Sequence, residues 1–213
     1  MLGIIFTGGD GPPSQIVKPL LKEDALIVAA DSGLIAAEKA GFKPHWVIGD
    51  MDSLGDTDVS SGERLASYPK ERIIRAEQNK DYTDTELAVS HIIEQGCDSF
   101  WIIGGGGGRI DHLFGIRSLL ERDIFPSRWI TDTADIRCFE DEINCVLEKD
   151  ALVSVFPLGD GPWQAKSSGL KWQLDALPWD RGFFGLSNRV TDGEFSIKAQ
   201  SGRFMVILPL RRI

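Results

Sequence analysis

From residue 2 to residue 122 short apolar runs alternate with stretches of helical spacing, and this alternation restricts the fold more than any other feature of the sequence. The runs at 2–6, 25–30, 46–48, 72–74 and 100–103 are short and rich in aliphatic, β-branched and aromatic residues, as buried strands are. The stretches at 34–40, 83–94 and 110–122 set their apolar residues on one helical face. Strand, helix, strand, helix at this spacing predicts a largely parallel sheet with helices on both faces. After Phe125-Pro126 the character changes. The runs at 136–140, 144–147, 152–156, 171–174, 195–199 and 204–208 are punctuated by Gly, Asp and Pro, and no long amphipathic helix follows. The expected architecture is an α/β N-terminal domain over residues 1–128 and an all-β, sandwich-like C-terminal domain over residues 129–213.

The chain of 213 residues has a formal net charge of −9. An acidic surface is a poor general binder of nucleic acid or of an anionic membrane, so neither is an expected partner. A phosphate-rich ligand would need local attraction, from a metal ion, an Arg or backbone N–H groups. No apolar run reaches transmembrane length. Residues 1–6 lack a basic flank and read as a first strand, not a signal peptide. Cys97, Cys138 and Cys145 form no Cys-x-x-Cys pair, and their odd number argues against a full disulfide framework. Buried thiols in a reducing cytoplasm are the expectation. His45, His91 and His112 have no zinc-site spacing.

Four acidic or glycine-rich stretches fall just after expected strands: Asp31-Ser32-Gly33, Gly49-Asp50-Met51-Asp52-Ser53, residues 79–86 and residues 104–112. In an open parallel sheet the loops at the carboxyl ends of the strands share one edge, and ligands sit there. Asp50 and Asp52 can converge on a hard cation such as Mg²⁺, which takes oxygen ligands; a solvated acidic loop is the alternative. Asp81 and Asp84 in the next loop can join them, or polarise a hydroxyl nucleophile. Asp84 also suits a helix N-terminus. Thr83 and Glu86 have capping-box spacing. Lys80 is a candidate phosphate contact.

The run Gly104-Gly105-Gly106-Gly107-Gly108 supplies no side chain to a core and carries a large entropic cost. It is read as a phosphate loop whose N–H groups approach the ligand at a helix N-terminus. Arg109 adds a planar fork for phosphate oxygens, or pairs on the surface with Asp111. It is not a P-loop, since no Gly-Lys-Ser or Gly-Lys-Thr follows. His112 is a helix-start residue or a ligand contact. Among the later aromatics, Trp172 lies in an alternating pattern and reads as core. Ser187-Asn188 reads as a turn.

These stretches, in this order, resemble the thiamin pyrophosphokinase family. The resemblance rests on Asp31-Ser32-Gly33, on Gly49 to Ser53, on Lys80 to Glu86 and on Gly107-Gly108-Arg109-Ile110-Asp111-His112. It extends through Gly169-Leu170-Lys171-Trp172 and Gly185-Leu186-Ser187-Asn188. Two departures stand out: Asn79 occupies a position where many members have Asp, and the glycine run is longer than usual. The resemblance implies pyrophosphoryl transfer from ATP to the hydroxyl of thiamin, with AMP released. It implies Mg²⁺ held by Asp50, Asp52, Asp81 and Asp84, with Asp84 as a proton acceptor and Arg109 bearing developing charge. ATP would be bound by Asp31, Lys80, Thr83, Gly107, Gly108, Arg109, Asp111 and His112. Thiamin would be bound by Trp172, Ser187 and Asn188, in a homodimer with thiamin sites between subunits. The rival readings are another Mg²⁺-dependent nucleotide-using transferase, of the nucleotide-sugar glycosyltransferase type built on Asp50-Met51-Asp52, and a non-enzymatic nucleotide-sensing module.

Overall fold

The computed structural model describes residues 1–21, 24–51, 58–77 and 81–210, and of 58–61 the backbone alone. The described chain forms two compact units. One comprises Met1–Ile116 with Trp129–Thr133, the other Arg117–Arg128 with Ala134–Leu210.

In the first unit, in chain order, lie β1 (Leu2–Phe6), α1 (Ser14–Val17), β2 (Leu26–Ala30), α2 (Gly33–Lys39), β3 (Trp46–Gly49), α3 (Asp58–Ala66), β4 (Ile73–Arg75), α4 (Asp84–Glu94) and β5 (Ser99–Ile103). Helix α5 (Ile110–Leu119) and the short β6 (Arg128–Ile130) follow. The strands stand in the order β4-β3-β2-β1-β5-β6, and β4 through β5 are mutually parallel. Both faces are covered, which is why β1 and β2 are nearly continuous apolar runs instead of alternating ones. Ala37 and Ala40, at the end of α2, pack with Ile4, Phe6 and Ile27. Gly3 points to the opposite face; there Ile92 Cδ1 of α4 comes within 3.0 Å of where a Cβ would sit. The expected parallel sheet with helices on both faces is the one observed. Expectation missed α3, whose nine residues Asp58–Ala66 carry few apolar side chains. The third expected helix ends at Leu119, three residues early.

The second unit contains β7 (Ala134–Phe139), β8 (Glu142–Val146), β9 (Leu152–Leu158), β10 (Gln164–Ser168), β11 (Gly185–Arg189), β12 (Glu194–Ser201) and β13 (Arg203–Pro209). Antiparallel pairs build the order β11-β9-β13-β7 and, separately, β10-β12-β8. Phe139, Val153, Val155, Phe204 and Val206 from the first set share one core with Cys145, Ala165, Phe195, Ile197 and Ala199 from the second. This is the sandwich-like all-β region expected. Strand β12 has the period-2 burial of a half-exposed sheet, with Phe195, Ile197 and Ala199 inward. The three cysteines are free, and burial pushes the Cys138 thiol up to about 12. No helix among the described residues is long and apolar enough to cross a membrane.

Candidate functional site

Because the strands from β4 to β5 are parallel, their carboxyl ends share one edge. From β1 the chain continues to β2 on one side, while β5 returns on the other. At such a reversal the loops of an open α/β sheet commonly form the ligand edge. Here they are Thr7–Gly11 after β1 and Gly104–Gly108 after β5. The two are zipped together. Asp10 N–H donates to the Gly106 carbonyl (2.6 Å), Gly106 N–H to the Asp10 carbonyl (2.9 Å) and Gly105 N–H to the Gly8 carbonyl (2.8 Å). At the root, the buried Trp129 donates its Nε1–H to the Gly104 carbonyl (2.8 Å).

This pairing corrects the reading of the five glycines as a bare phosphate loop. Gly104, Gly105 and Gly106 are buried, and their N–H groups bond to Ile130, Gly8 and Asp10. They are glycines because neighbours leave no room. A Cβ at Gly104 would lie 2.5 Å from the Thr7 carbonyl oxygen, and one at Gly105 would lie 2.2 Å from Ile116 Cδ1. Gly107 and Gly108 are exposed, with φ of +60° and +59°. A Cβ on Gly107 would meet Asp10 Oδ2 at 2.0 Å, whereas among the described residues nothing beyond its chain neighbours lies within 4 Å of one on Gly108. The stretch available to a ligand is therefore Gly107-Gly108-Arg109.

The acids gather on the same edge around Gly49. A Cβ there would come within 3.2 Å of Asp31 Cβ and within 3.2 Å of the Asp84 carboxyl group. Asp31 and Asp84 thus reach Gly49, and half-buried Asp50 follows it directly. Asp31 is tied to β3 by its N–H, which donates to the Ile48 carbonyl (2.8 Å), and its φ is +46°. Asp84 opens α4, whose first turn is fixed to the end of β1 by a Thr7 Oγ1–Thr85 Oγ1 hydrogen bond of 2.7 Å. Asp81 is exposed in the turn before α4. Asp52 and Lys80 lie outside the described residues. Among the described residues no three His, Cys, Asp or Glu side chains form a ready-made metal cage. A small hard cation does not require one. Mg²⁺ is commonly held by one or two carboxylates, substrate phosphates and water, and the carboxylates at Gly49 fit that donor set.

The remaining edge residues divide by what already engages them. Thr83 closes the capping box: its Oγ1 accepts from Glu86 N–H (3.2 Å) while its own N–H donates to Glu86 Oε2 (2.9 Å). Arg109 lays its fork on Asp111, with Nε 3.1 Å from Oδ1. That contact raises the Arg109 pKa and holds the Asp111 carboxyl below the usual range. Both are exposed, as is His112. Sequence reasoning missed the Thr7–Gly11 loop and Trp129; Ser32, in the first of the four stretches, meets that loop, its hydroxyl 2.4 Å from where a Cβ on Gly8 would lie. The signal was present, since Gly8-Gly9 follows an expected strand as the four chosen stretches do.

In the second unit Trp172 and Asn188 come together. Residues 171–174 are not a strand, and Trp172 is 53% exposed, so burial in the core is corrected. Asn188, 5% exposed, holds the loop: its Oδ1 accepts from Trp172 N–H (3.1 Å) and its Nδ2–H donates to the Trp172 carbonyl (2.6 Å). The same Oδ1 accepts from Arg189 N–H (2.8 Å). Lys171 Nζ stands 4.8 Å from the centre of the Trp172 ring, within the range of cation–π attraction. Ser187 lies in β11, not in a turn, exposed and with φ of +57°.

The chain is similar to known proteins over most of its length. Residues 17–127 match the family model described as thiamin pyrophosphokinase, catalytic domain. Residues 140–204 match the model described as thiamin pyrophosphokinase, vitamin B1 binding domain. The chain is 32% identical over 174 residues to a thiamine pyrophosphokinase of Bacillus subtilis (strain 168), covering 78% of this chain and 79% of that one. The fold is similar to the crystal structure of thiamine pyrophosphokinase from Bacillus subtilis, with a TM-score of 0.78 and 23% identity over 99% of both chains. It is similar also to that of thiamin pyrophosphokinase from Geobacillus thermodenitrificans, with a TM-score of 0.76 and 24% identity over 98% of this chain and 97% of that one. A catalytic-domain match across half the sequence, and a curated relative above 30% identity across more than two thirds of it, establish that this chain belongs to the thiamin pyrophosphokinase family.

Proposed function

We infer that the chain transfers a pyrophosphoryl group from ATP to the hydroxyl of thiamin, giving thiamin diphosphate and AMP. The thiamin oxygen attacks the β-phosphorus, and the bond from that phosphorus to the α,β-bridging oxygen breaks as AMP leaves. What supports this placement of the chemistry is the meeting of Asp31 and Asp84 at Gly49, on the sheet edge that also carries Gly107-Gly108-Arg109. Mg²⁺, when bound, neutralises the phosphate oxygens and orients them in line. Asp50, Asp52, Asp81 and Asp84 are the proposed residues that hold it, with Asp31 beside them. Transfer of this kind asks for positioning and charge rather than covalent help from the protein. Gly107, Gly108 and Arg109 hold phosphate oxygens, and Lys80, Asp111 and His112 flank them. Asp84 accepts the thiamin hydroxyl proton.

Residues 1–128 are proposed as the ATP- and Mg²⁺-handling domain and residues 129–213 as the thiamin-holding domain. Trp172 offers its exposed ring to the cationic thiazolium or the pyrimidine of thiamin, and Ser187 contributes its hydroxyl beside it. The working form is proposed to be a cytoplasmic homodimer with thiamin sites between subunits. Incubation of the purified chain with ATP, Mg²⁺ and thiamin tests the reaction. AMP and thiamin diphosphate are expected in equal amounts; release of a nucleoside diphosphate, or no turnover in a folded sample, overturns the reading.

A further inference from the structure

The charged groups around the glycine loop are mostly of the wrong sign for a phosphate. Asp10 sets its carboxylate against Gly107, with Oδ2 only 2.0 Å from where a Cβ would stand. Asp132 sets its own against Gly106, with Oδ1 2.4 Å from the corresponding point. Asp111 follows, and the nearby cation Arg109 lays its fork on Asp111. Among the described residues three carboxylates thus stand against one guanidinium, in a chain whose formal net charge is already −9; Lys80 lies outside that count. The carboxylate of Asp10 has no freedom to leave by a loop swing, because its own backbone is held to Gly106 by two hydrogen bonds. A bare polyphosphate entering here meets fixed negative charge. One that carries a divalent cation meets less repulsion, because the cation cancels about half of the charge of fully ionised ATP.

From this juxtaposition we propose that Asp10, seconded by Asp132, is a specificity-determining residue that makes the nucleotide loop reject uncomplexed ATP and accept the Mg²⁺ complex. The proposal rests on the placement of phosphate at Gly107-Gly108 given above. It assigns Asp10 no role as a metal ligand. Its work is repulsion, which specificity commonly uses alongside attraction. A unit charge a few ångströms from another in water changes an equilibrium by about fivefold, so each carboxylate removed should have an effect of that order on a highly charged ligand.

The test is calorimetric binding of ATP to the full chain, with EDTA and then with Mg²⁺ and no thiamin, for the parent, Asp10→Asn, Asp132→Asn and Gly108→Val. Each is first checked for an unchanged thermal melt. Asp10→Asn should tighten uncomplexed ATP about fivefold, and the ratio of its dissociation constant to that of the Mg²⁺ complex should fall by a similar factor. Asp132→Asn should act in the same direction, so the proposal stays testable if one variant misfolds. If Gly108→Val weakens ATP while neither Asn variant alters the ratio, phosphate does sit on the loop and the proposal is wrong. If Gly108→Val leaves ATP binding untouched, the loop placement fails and the proposal falls with it.

Discussion

Replacing Asn188 separates two roles that the same residue can have: direct contact with thiamin, or support for Trp172. Its side-chain amide makes three hydrogen bonds from a position 5% exposed, two of them to the backbone of Trp172 sixteen residues away. A net hydrogen bond contributes about 1 kcal/mol. Trp172 sits on an exposed loop, so water replaces the lost partners there and the full burial penalty does not apply. Asn188→Ala should therefore destabilise by about 2–4 kcal/mol, mostly through the loop. Asn188→Asp should be no milder. It keeps the acceptor toward Trp172 N–H but sets an oxygen against the Trp172 carbonyl, where an N–H donor now stands 2.6 Å away. If about 2 kcal/mol of that loss falls on ordering Trp172, the KM for thiamin should rise roughly thirtyfold while that for ATP stays near the parent value. Urea unfolding, amide exchange at Trp172 and steady-state kinetics in both substrates provide the readouts. Unchanged stability and unchanged Trp172 exchange beside a collapsed thiamin affinity would show that Asn188 touches the ligand and refute the supporting role.

Asp84→Asn should lower Mg²⁺-dependent turnover by two orders of magnitude or more, the usual scale for losing a positioned proton acceptor, with a nearly unchanged melt; parent-like activity in the folded variant removes Asp84 from the mechanism. Gly105→Ala should destabilise by about 2–5 kcal/mol, since its φ is +76° and the new Cβ would strike Ile116, whereas Gly108→Ala, with open space around it, should cost about 1–2 kcal/mol; equal denaturation midpoints would contradict the division of the glycine run. Arg109→Lys should leave the melt unchanged and reduce ATP turnover about a hundredfold, because an ammonium keeps the charge and loses the fork; kinetics within twofold of the parent would leave Arg109 as a surface partner of Asp111. Burial holds the His91 imidazole below its ordinary pKa of 6.5, with Arg72 adding to the effect. The unfolded chain therefore takes up a proton that the native state refuses, so stability should be full above pH 6.5 and fall as pH drops below it, and His91→Gln should flatten that part of the profile.

The parallel half of the fold was legible because both faces of its sheet are covered. Residues 2–6 and 25–30 are close to unbroken apolar runs, and helical periodicity separates them. The β half was legible only where a strand feeds the core with large side chains. Phe195 and Ile197 gave β12 away, whereas Gln164–Ser168 of β10 places only Ala165 in the core and Gly185–Arg189 of β11 places only Asn188 there. Such strands carry too little apolar pattern to be seen. The opposite error arose at residues 171–174. Leu170 and Leu174 are buried with Trp172 between them, which imitates a strand. The backbone groups of Trp172 that a neighbouring strand would have paired are taken by the amide of Asn188. A side chain so far along the chain leaves no trace in local periodicity.

The glycine run marks a different limit. Sequence identifies that side chains are forbidden at residues 104–108 but not what forbids them. At Gly104–Gly106 it is protein: Thr7, Ile116, Asp10 and Asp132 fill the space, and the N–H groups are already bonded. At Gly108 no atom of the described residues beyond its chain neighbours lies within 4 Å of the missing Cβ, and φ is +59°. A positive φ without a neighbour is a backbone requirement, and on the carboxyl edge of a parallel sheet such a turn suits close approach by a ligand. The useful criterion is therefore not the number of glycines but which of them the protein itself explains. By that criterion Gly108 alone is left to a ligand, with exposed Gly107 and Arg109 on either side and the carboxylates of Asp10 and Asp111 beside them. A loop this small and this acidic has little attraction for a polyphosphate on its own, so under the proposed function the acids around Gly49 would supply what the loop lacks, by holding the cation that neutralises ATP.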